Sequence, residues 1–235
     1  MANAHKKKKK TNMSTITMVT ILIVFIGLGI FAIFQSFTGK DGSGEETDQT
    51  FSVEYAGQPA IGDDNAPVKL MEFGDYKCPV CKVFHDTVYP KLKKEYIDTG
   101  KVQMYFTNYQ FIAEDSVTAG MAGEAVYKQS PEAFWKFYDV IYTHQQDESK
   151  NWATPDFLEQ LIEKNIPEVD AKKVREDLDN KTYLNEVMED NKLATQLKVD
   201  SVPAVFINGK KVENALEYEA IKQMIESELS NGENK

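Results

Sequence analysis

Both cysteines of this 235-residue chain lie in one stretch, FGDYKCPVCKVF (residues 73–84), where Cys78 and Cys81 flank Pro79 and Val80. Two thiols at this spacing can exchange a disulfide, supply half of a metal site or form a static staple. If Cys78 stands where a helix begins, Pro79 takes the first helical position, where a missing N–H costs nothing. The Cys78 sulfur then occupies the capping site. The amides of Val80 and Cys81 point at it, and the positive end of the helix dipole favours an anion. Both effects should bring the Cys78 pKa below the reference of about 8.5. A stabilised thiolate attacks and leaves well, and stabilising the reduced form makes the disulfide a stronger oxidant.

Cys81, one turn further in, is expected to be the more buried thiol and to clear a mixed disulfide formed on Cys78. Glu72, at the end of an apolar run, is the candidate proton acceptor for that step; the alternative is an exposed strand-end carboxylate. A static disulfide of this loop size constrains little of the unfolded chain. A metal site needs further ligands. His85, on the face of Cys81 at i+4, is the nearest histidine; two sulfurs and one nitrogen make a weak zinc site but could take Cu(I). Otherwise His85 is an ordinary helix-surface side chain.

The elements that must position these residues follow from periodicity. Val68–Phe73, VKLMEF, closed by Gly74 and Asp75, reads as a buried strand. Val80, Phe84, Val88, Leu92 and Tyr96 form an i+4 stripe on a helix that Pro90 should kink and Gly100 should end. Residues 101–109, KVQMYFTNY, alternate Val102, Met104 and Phe106 on one face, a second strand and therefore a parallel crossover. From about 114 to 198 the texture is helical. Ser130-Pro131-Glu132 and Thr154-Pro155-Asp156 each place a capping hydroxyl before a proline and an acid, and Phe134, Trp135, Tyr138, Ile141 and Tyr142 share one apolar face. Residues 204–212, AVFINGKKV, are a hairpin around Asn-Gly, followed by a closing helix marked by Leu216, Ile221, Ile225 and Leu229.

The N-terminal part is different. Five lysines, residues 6–10, precede the uncharged run Thr15–Phe34, and twenty helical residues at about 1.5 Å each match the hydrocarbon thickness of a bilayer. A cleaved signal peptide has a shorter apolar core and a small-residue exit, whereas this run leads into FAIFQSF. The expected organisation is a cytoplasmic basic N-terminus at 1–13, a transmembrane anchor at 14–37, a flexible linker at 38–50 and an extracytoplasmic domain at 51–235, the lysines holding the N-terminus inside. Of the 27 Lys and Arg, five precede the apolar run, leaving 22 against 37 acids, a net charge of −15. Such a surface argues against nucleic acid or anionic lipid as a partner. It leaves room for a structural Ca²⁺, although no loop carries a calcium-binding spacing.

Strand, C-P-x-C helix, strand, helical insertion, then Val202-Pro203 before a hairpin: this order resembles the thioredoxin-like fold of the DsbA family. EFGDYKCPVCKVF is most similar to the membrane-anchored BdbD type of Gram-positive bacteria. The resemblance covers roughly Gln58 to Leu229 and implies an α/β thioredoxin-like fold with an inserted helical subdomain, preceded by one N-terminal transmembrane helix. It implies that Cys78 is the nucleophile, Cys81 the resolving cysteine and Glu72 the buried acid. Pro203 matches the family's cis-proline and, with Val202, Pro79 and Val80, would line the substrate-binding surface. The implied activity is donation of the Cys78–Cys81 disulfide to unfolded secreted or surface proteins, with no cofactor and with reoxidation by a quinone-linked membrane partner of the DsbB type. The best-known DsbA proteins carry histidine where this chain has Val80, so a less extreme potential is expected. The competing readings are an extracytoplasmic reductase or isomerase, a Cu(I) carrier built on Cys78, Cys81 and His85, and an anchored chaperone gripping clients through the Pro203 loop.

Overall fold

The structure, a computed structural model, describes residues 50–233. The expected anchor and residues 38–49 of the expected linker lie outside them. Among the described residues, no helix is long and apolar enough to cross a membrane. The expected linker ran to Thr50, but Thr50 already pairs with Lys210 and the Phe51 amide donates to the Gly209 carbonyl at 2.8 Å.

Five strands form one sheet: β1 Ala60–Ile61, β2 Val68–Gly74, β3 Val102–Asn108, β4 Ala204–Ile207 and β5 Lys210–Lys211, in the order β1-β3-β2-β4-β5. β2 and β3 are parallel and in register from Val68↔Val102 to Gly74↔Asn108, while β4 lies antiparallel to β2. A parallel pair needs a crossover, supplied here by α1 (Pro79–Thr87), α2 (Tyr89–Leu92) and a single π turn, Lys93–Ile97. The break between α1 and α2 falls just before Pro90, whose absent N–H cannot continue the ladder. Gly100 ends the segment at φ +73°.

Between β3 and β4 stand five helices: α3 Glu114–Gln129, α4 Pro131–Thr143, α5 Pro155–Asn165, α6 Ala171–Asp179 and α7 Leu184–Gln196. This is the helical insertion expected at about 114–198. Ser130 and Thr154 cap α4 and α5, accepting the amides of Ala133 and Phe157 at 3.3 and 3.2 Å. α8 (Tyr218–Glu233) closes the chain. The β4–β5 turn uses Asn208 and Gly209 at φ +47° and +84°, the twist a two-residue hairpin needs. A Cβ on Gly209 would also stand 2.2 Å from the Phe51 carbonyl oxygen.

Three sequence expectations shift. The alternation placed Val102, Met104 and Phe106 on one face of β3, yet the other face is buried as well and all seven residues are covered, because it is a central strand packed on both sides. One face carries the main core with α1, α3 and α4. The other carries Met71, Phe73, Tyr105 and Phe206, covered by Leu197, Val199 and the incoming Phe51, Val53 and Tyr55. β1, two residues long, has no readable periodicity and was not foreseen. Val80 was placed in the buried stripe but is 44 % exposed: in the first turn of α1 it faces away from the sheet.

Candidate active site

β2 ends at Gly74, and the next four residues turn the chain into α1. Asp75 organises the turn. Its carbonyl accepts the Cys78 amide at 3.0 Å, one carboxylate oxygen accepts the Lys77 amide at 2.8 Å, and the other accepts the amides of Phe111 and Ile112, each at 3.0 Å. Burial pushes the Asp75 carboxyl up, and these amide bonds only partly offset it. Lys77 is buried too. Its ammonium reaches Asp115 Oδ1 at 2.5 Å and the Lys150 carbonyl at 2.8 Å, while the other Asp115 oxygen accepts the amides of Trp152 and Ala153. Gln145, just beyond α4, donates to the carbonyls of Tyr76 and Cys78 at 2.8 and 2.9 Å.

Cys78 is the N-cap of α1, with extended backbone (φ −70°, ψ 118°) and Pro79 in the first helical position. Its Sγ accepts the Cys81 amide at 3.4 Å and lies 3.6 Å from the Val202 carbonyl oxygen. The hydrogen bond from the Cys81 thiol holds the Cys78 pKa down to about 7. Burial opposes it, the amides of Cys81 and Val80 reinforce it, and the Asp75 carboxylate pushes back. Cys81 behaves in the opposite way: full burial first, then the neighbouring Cys78 thiolate, and Glu72 where it is ionised, push its thiol well above the ordinary range. Two thiols one helical turn apart are thus one acidic and one strongly protonated.

Glu72 is no exposed strand-end carboxylate. It is fully buried, its Oε2 accepts the Tyr138 hydroxyl at 2.7 Å, and its Oε1 has no partner. Burial raises its pKa to about 8, with the Tyr138 bond and the His85 charge acting against the rise. His85 is likewise not helix surface. It is 9 % exposed beneath α4, its Nδ1 2.8 Å from Asp86 and its Nε2 3.1 Å from Asp139. Burial works against its charge, but the two carboxylates win and its pKa is raised. Both ring nitrogens are engaged, so the Cu(I) reading lacks its third ligand. Among the described residues, no group of three or more His, Cys, Asp or Glu is arranged to hold a metal ion.

The structure thus gathers Cys78, Cys81 and Val202 around one sulfur, with Glu72 buried beside Cys81. Pro79 and Val80 are exposed at the rim, and Pro203, joined to Val202 by a cis peptide, is half-buried. Asp75, Lys77, Asp115, Tyr138 and Gln145 were not singled out from the sequence as site residues. Of these, only Asp75 has a local signal, an Asx turn onto the amide two residues ahead.

The thioredoxin family model matches residues 54–227. The chain is 38 % identical over 221 residues to the probable disulfide bond formation protein D of Bacillus cereus, covering 94 % of this chain and 99 % of that one. It is 38 % identical over 173 residues to disulfide bond formation protein D of Bacillus subtilis, covering 74 % and 78 %. The crystal structure of oxidised BdbD from B. subtilis superposes with a TM-score of 0.74 at 36 % identity, over 77 % of this chain and 97 % of that one. Chlamydia trachomatis DsbA, at 24 % identity and a TM-score of 0.68 over 76 % of this chain and 95 % of its own, shares the fold. A capped, acidic cysteine beside a buried partner is thus found on a backbone and a sequence that agree with one group of proteins, and the chain belongs to the thioredoxin family, in the group of disulfide bond formation protein D.

Proposed function

We propose that this protein, a thiol–disulfide oxidoreductase, works as a thiol oxidase that passes the Cys78–Cys81 disulfide to reduced cysteines of unfolded secreted or surface proteins. The observation that carries the reading is the acidity gap between the two thiols. A substrate thiolate attacks Cys78 Sγ, the Cys78–Cys81 bond breaks, and Cys81 leaves, taking a proton from the Glu72 carboxyl, which at a pKa of about 8 is protonated at neutral pH. A second substrate thiolate then attacks the substrate sulfur of the mixed disulfide, and Cys78 departs as the stable thiolate. The substrate gains a disulfide and gives up two electrons, which the enzyme holds as its dithiol. In reoxidation, or when a mixed disulfide is cleared, Cys81 attacks and the Glu72 carboxylate takes its proton.

Val202 and Pro203, with Pro79 and Val80, receive the substrate backbone beside Cys78. Exposed Val80, Val83 and Phe111 make the surroundings apolar, which suits unfolded chains. Thr15–Phe34 anchors the domain outside the membrane, residues 38–49 tether it, and a quinone-linked membrane reoxidase of the DsbB type restores the disulfide. The lysines before the apolar run and the absence of a third cysteine in the sequence support this arrangement. The reductase or isomerase reading predicts a potential near that of thioredoxin, about −270 mV. Equilibrium with glutathione is expected to give a clearly more oxidising value, and Cys81→Ser to accumulate mixed disulfides with reduced substrates. A thioredoxin-like potential, or a Cys81→Ser protein that traps nothing, overturns the assignment.

A further inference from the structure

The turn between β2 and α1 has no sheet neighbour; beyond the Cys78 amide on the Asp75 carbonyl and the Lys82 amide on the Cys78 carbonyl, its buried carbonyls are met by side-chain donors from outside the turn. The donors come from one helix and its exit. On α4 and just after it, Tyr138, Tyr142 and Gln145 stand at i, i+4 and i+7, one side of a helix. Tyr138 reaches Glu72, the Tyr142 hydroxyl lies 3.5 Å from the Asp75 carbonyl, and Gln145 reaches the carbonyls of Tyr76 and Cys78. The three side chains therefore follow the catalytic segment from acid to cysteine. At Gln145 the chemistry fixes the amide orientation: two carbonyl acceptors require the NH₂ group, and its two hydrogens serve one each.

We infer that Gln145 is a positioning residue that holds the Cys78 peptide in its capping conformation, and that through it the helical insertion sets the oxidising strength of the cysteine pair. The Cys78 carbonyl is the outer end of the peptide that follows the sulfur-bearing carbon. Among the described residues its other donor is the Lys82 amide at 3.2 Å, the first bond of α1. With Gln145 in place the ψ of Cys78 stays at 118° and the sulfur stays on the Cys81 amide. Without it the peptide is tied on one side only, the sulfur wanders from the amide, and the reduced form loses the stabilisation that makes the disulfide oxidising. The inference rests on the reading of Cys78 as the acidic thiol, and the test separates the two.

Thiolate absorbance against pH and the equilibrium potential with glutathione are measured for the wild-type protein, Gln145→Ala, Gln145→Glu and Ser130→Ala. The wild-type titration tests the reading of Cys78 by itself. Gln145→Ala is expected to lower the thiolate fraction below pH 7 about threefold and to make the potential more reducing. Gln145→Glu, which removes the donor and adds a negative charge, is expected to lower that fraction about tenfold. Ser130→Ala weakens the same helix at its far end without touching the turn, and is expected to leave both readouts at wild-type values. Unchanged titration and potential in both Gln145 variants, or equal changes in Ser130→Ala, overturn the inference even where the melting temperature falls.

Discussion

Three helices among the described residues open in the same way, and only one of them is capped by a sulfur. At Cys78-Pro79, Ser130-Pro131 and Thr154-Pro155 a side chain caps the helix by accepting the amide three residues ahead, at 3.4, 3.3 and 3.2 Å, and proline occupies the first turn. The second helical position differs. α4 and α5 carry Glu132 and Asp156 there, the acids that suit the positive end of a helix dipole, whereas α1 has no acid in its first turn and carries Val80. In α4 and α5 the cap and the acid spend the dipole on helix stability. In α1 the same field falls on a sulfur that can ionise, with no neighbouring acid in that turn to compete for it.

The largest expected effect comes from changing the capping atom alone. Cys78→Ser keeps an oxygen cap as good as that of α4, so at pH 6, where the wild-type thiol is largely protonated, the melting temperature of the reduced protein should change little, while thiol oxidation of reduced RNase is abolished at any pH. The same variant checks the linkage. A depressed thiol pKa stabilises the reduced protein fully above the unfolded value of about 8.5, and that stabilisation is lost as pH falls through about 7. Melts of the reduced wild-type protein should lose this increment between pH 9 and 6, and Cys78→Ser should not.

A smaller effect, of two opposite signs, is expected from giving α1 the acid that its counterparts have. Val80→Glu should strengthen the helix in the oxidised protein by roughly 0.3–1 kcal/mol while reducing the thiolate fraction of Cys78 below pH 7 about fivefold through like-charge repulsion. Val80→His should lower the Cys78 pKa, because an imidazolium at that exposed position attracts the thiolate. Titration at 240 nm reads both. If neither variant moves the curve, the field at the start of α1 is not what holds the anion.

The parts of this site that local chemistry determines were legible before any fold was known. Cys78-Pro79, Ser130-Pro131, Thr154-Pro155 and the Asn208-Gly209 turn each act within four residues, so the sequence window contains their cause. Glu72 was legible as a candidate, but its burial was legible only through the family resemblance and not from its neighbours in the chain, because the residues that cover it come from a helix 66 positions later. The same holds for Lys77, whose charge reads as solvent-facing until Asp115 and the Lys150 carbonyl close over it. His85 was placed on the correct face of α1 and misjudged only in depth: an i+4 relation gives direction, and Tyr138 and Tyr142 decide what lies there. For Val80 the stripe rule failed at its first member, since the opening turn of α1 projects beyond the sheet that covers the later turns.

The smallest effects test the other side of the comparison. Ser130→Ala and Thr154→Ala each remove a hydroxyl cap, a loss of about 1 kcal/mol of stability, and urea denaturation of the oxidised protein should show it in both. Neither hydroxyl bonds to the turn at Asp75–Cys78, so the Cys78 titration and the rate of thiol oxidation should remain at wild-type values. Pairing either variant with Val80→Glu sharpens the result. The sites share no hydrogen-bond partner, so the stability changes should add within about 0.5 kcal/mol, while only Val80→Glu moves the titration. A cap variant that shifts the sulfur's acidity as strongly as Val80→Glu would show that the three helix starts are coupled through the core, and that the chemistry of α1 is not set at its own first turn.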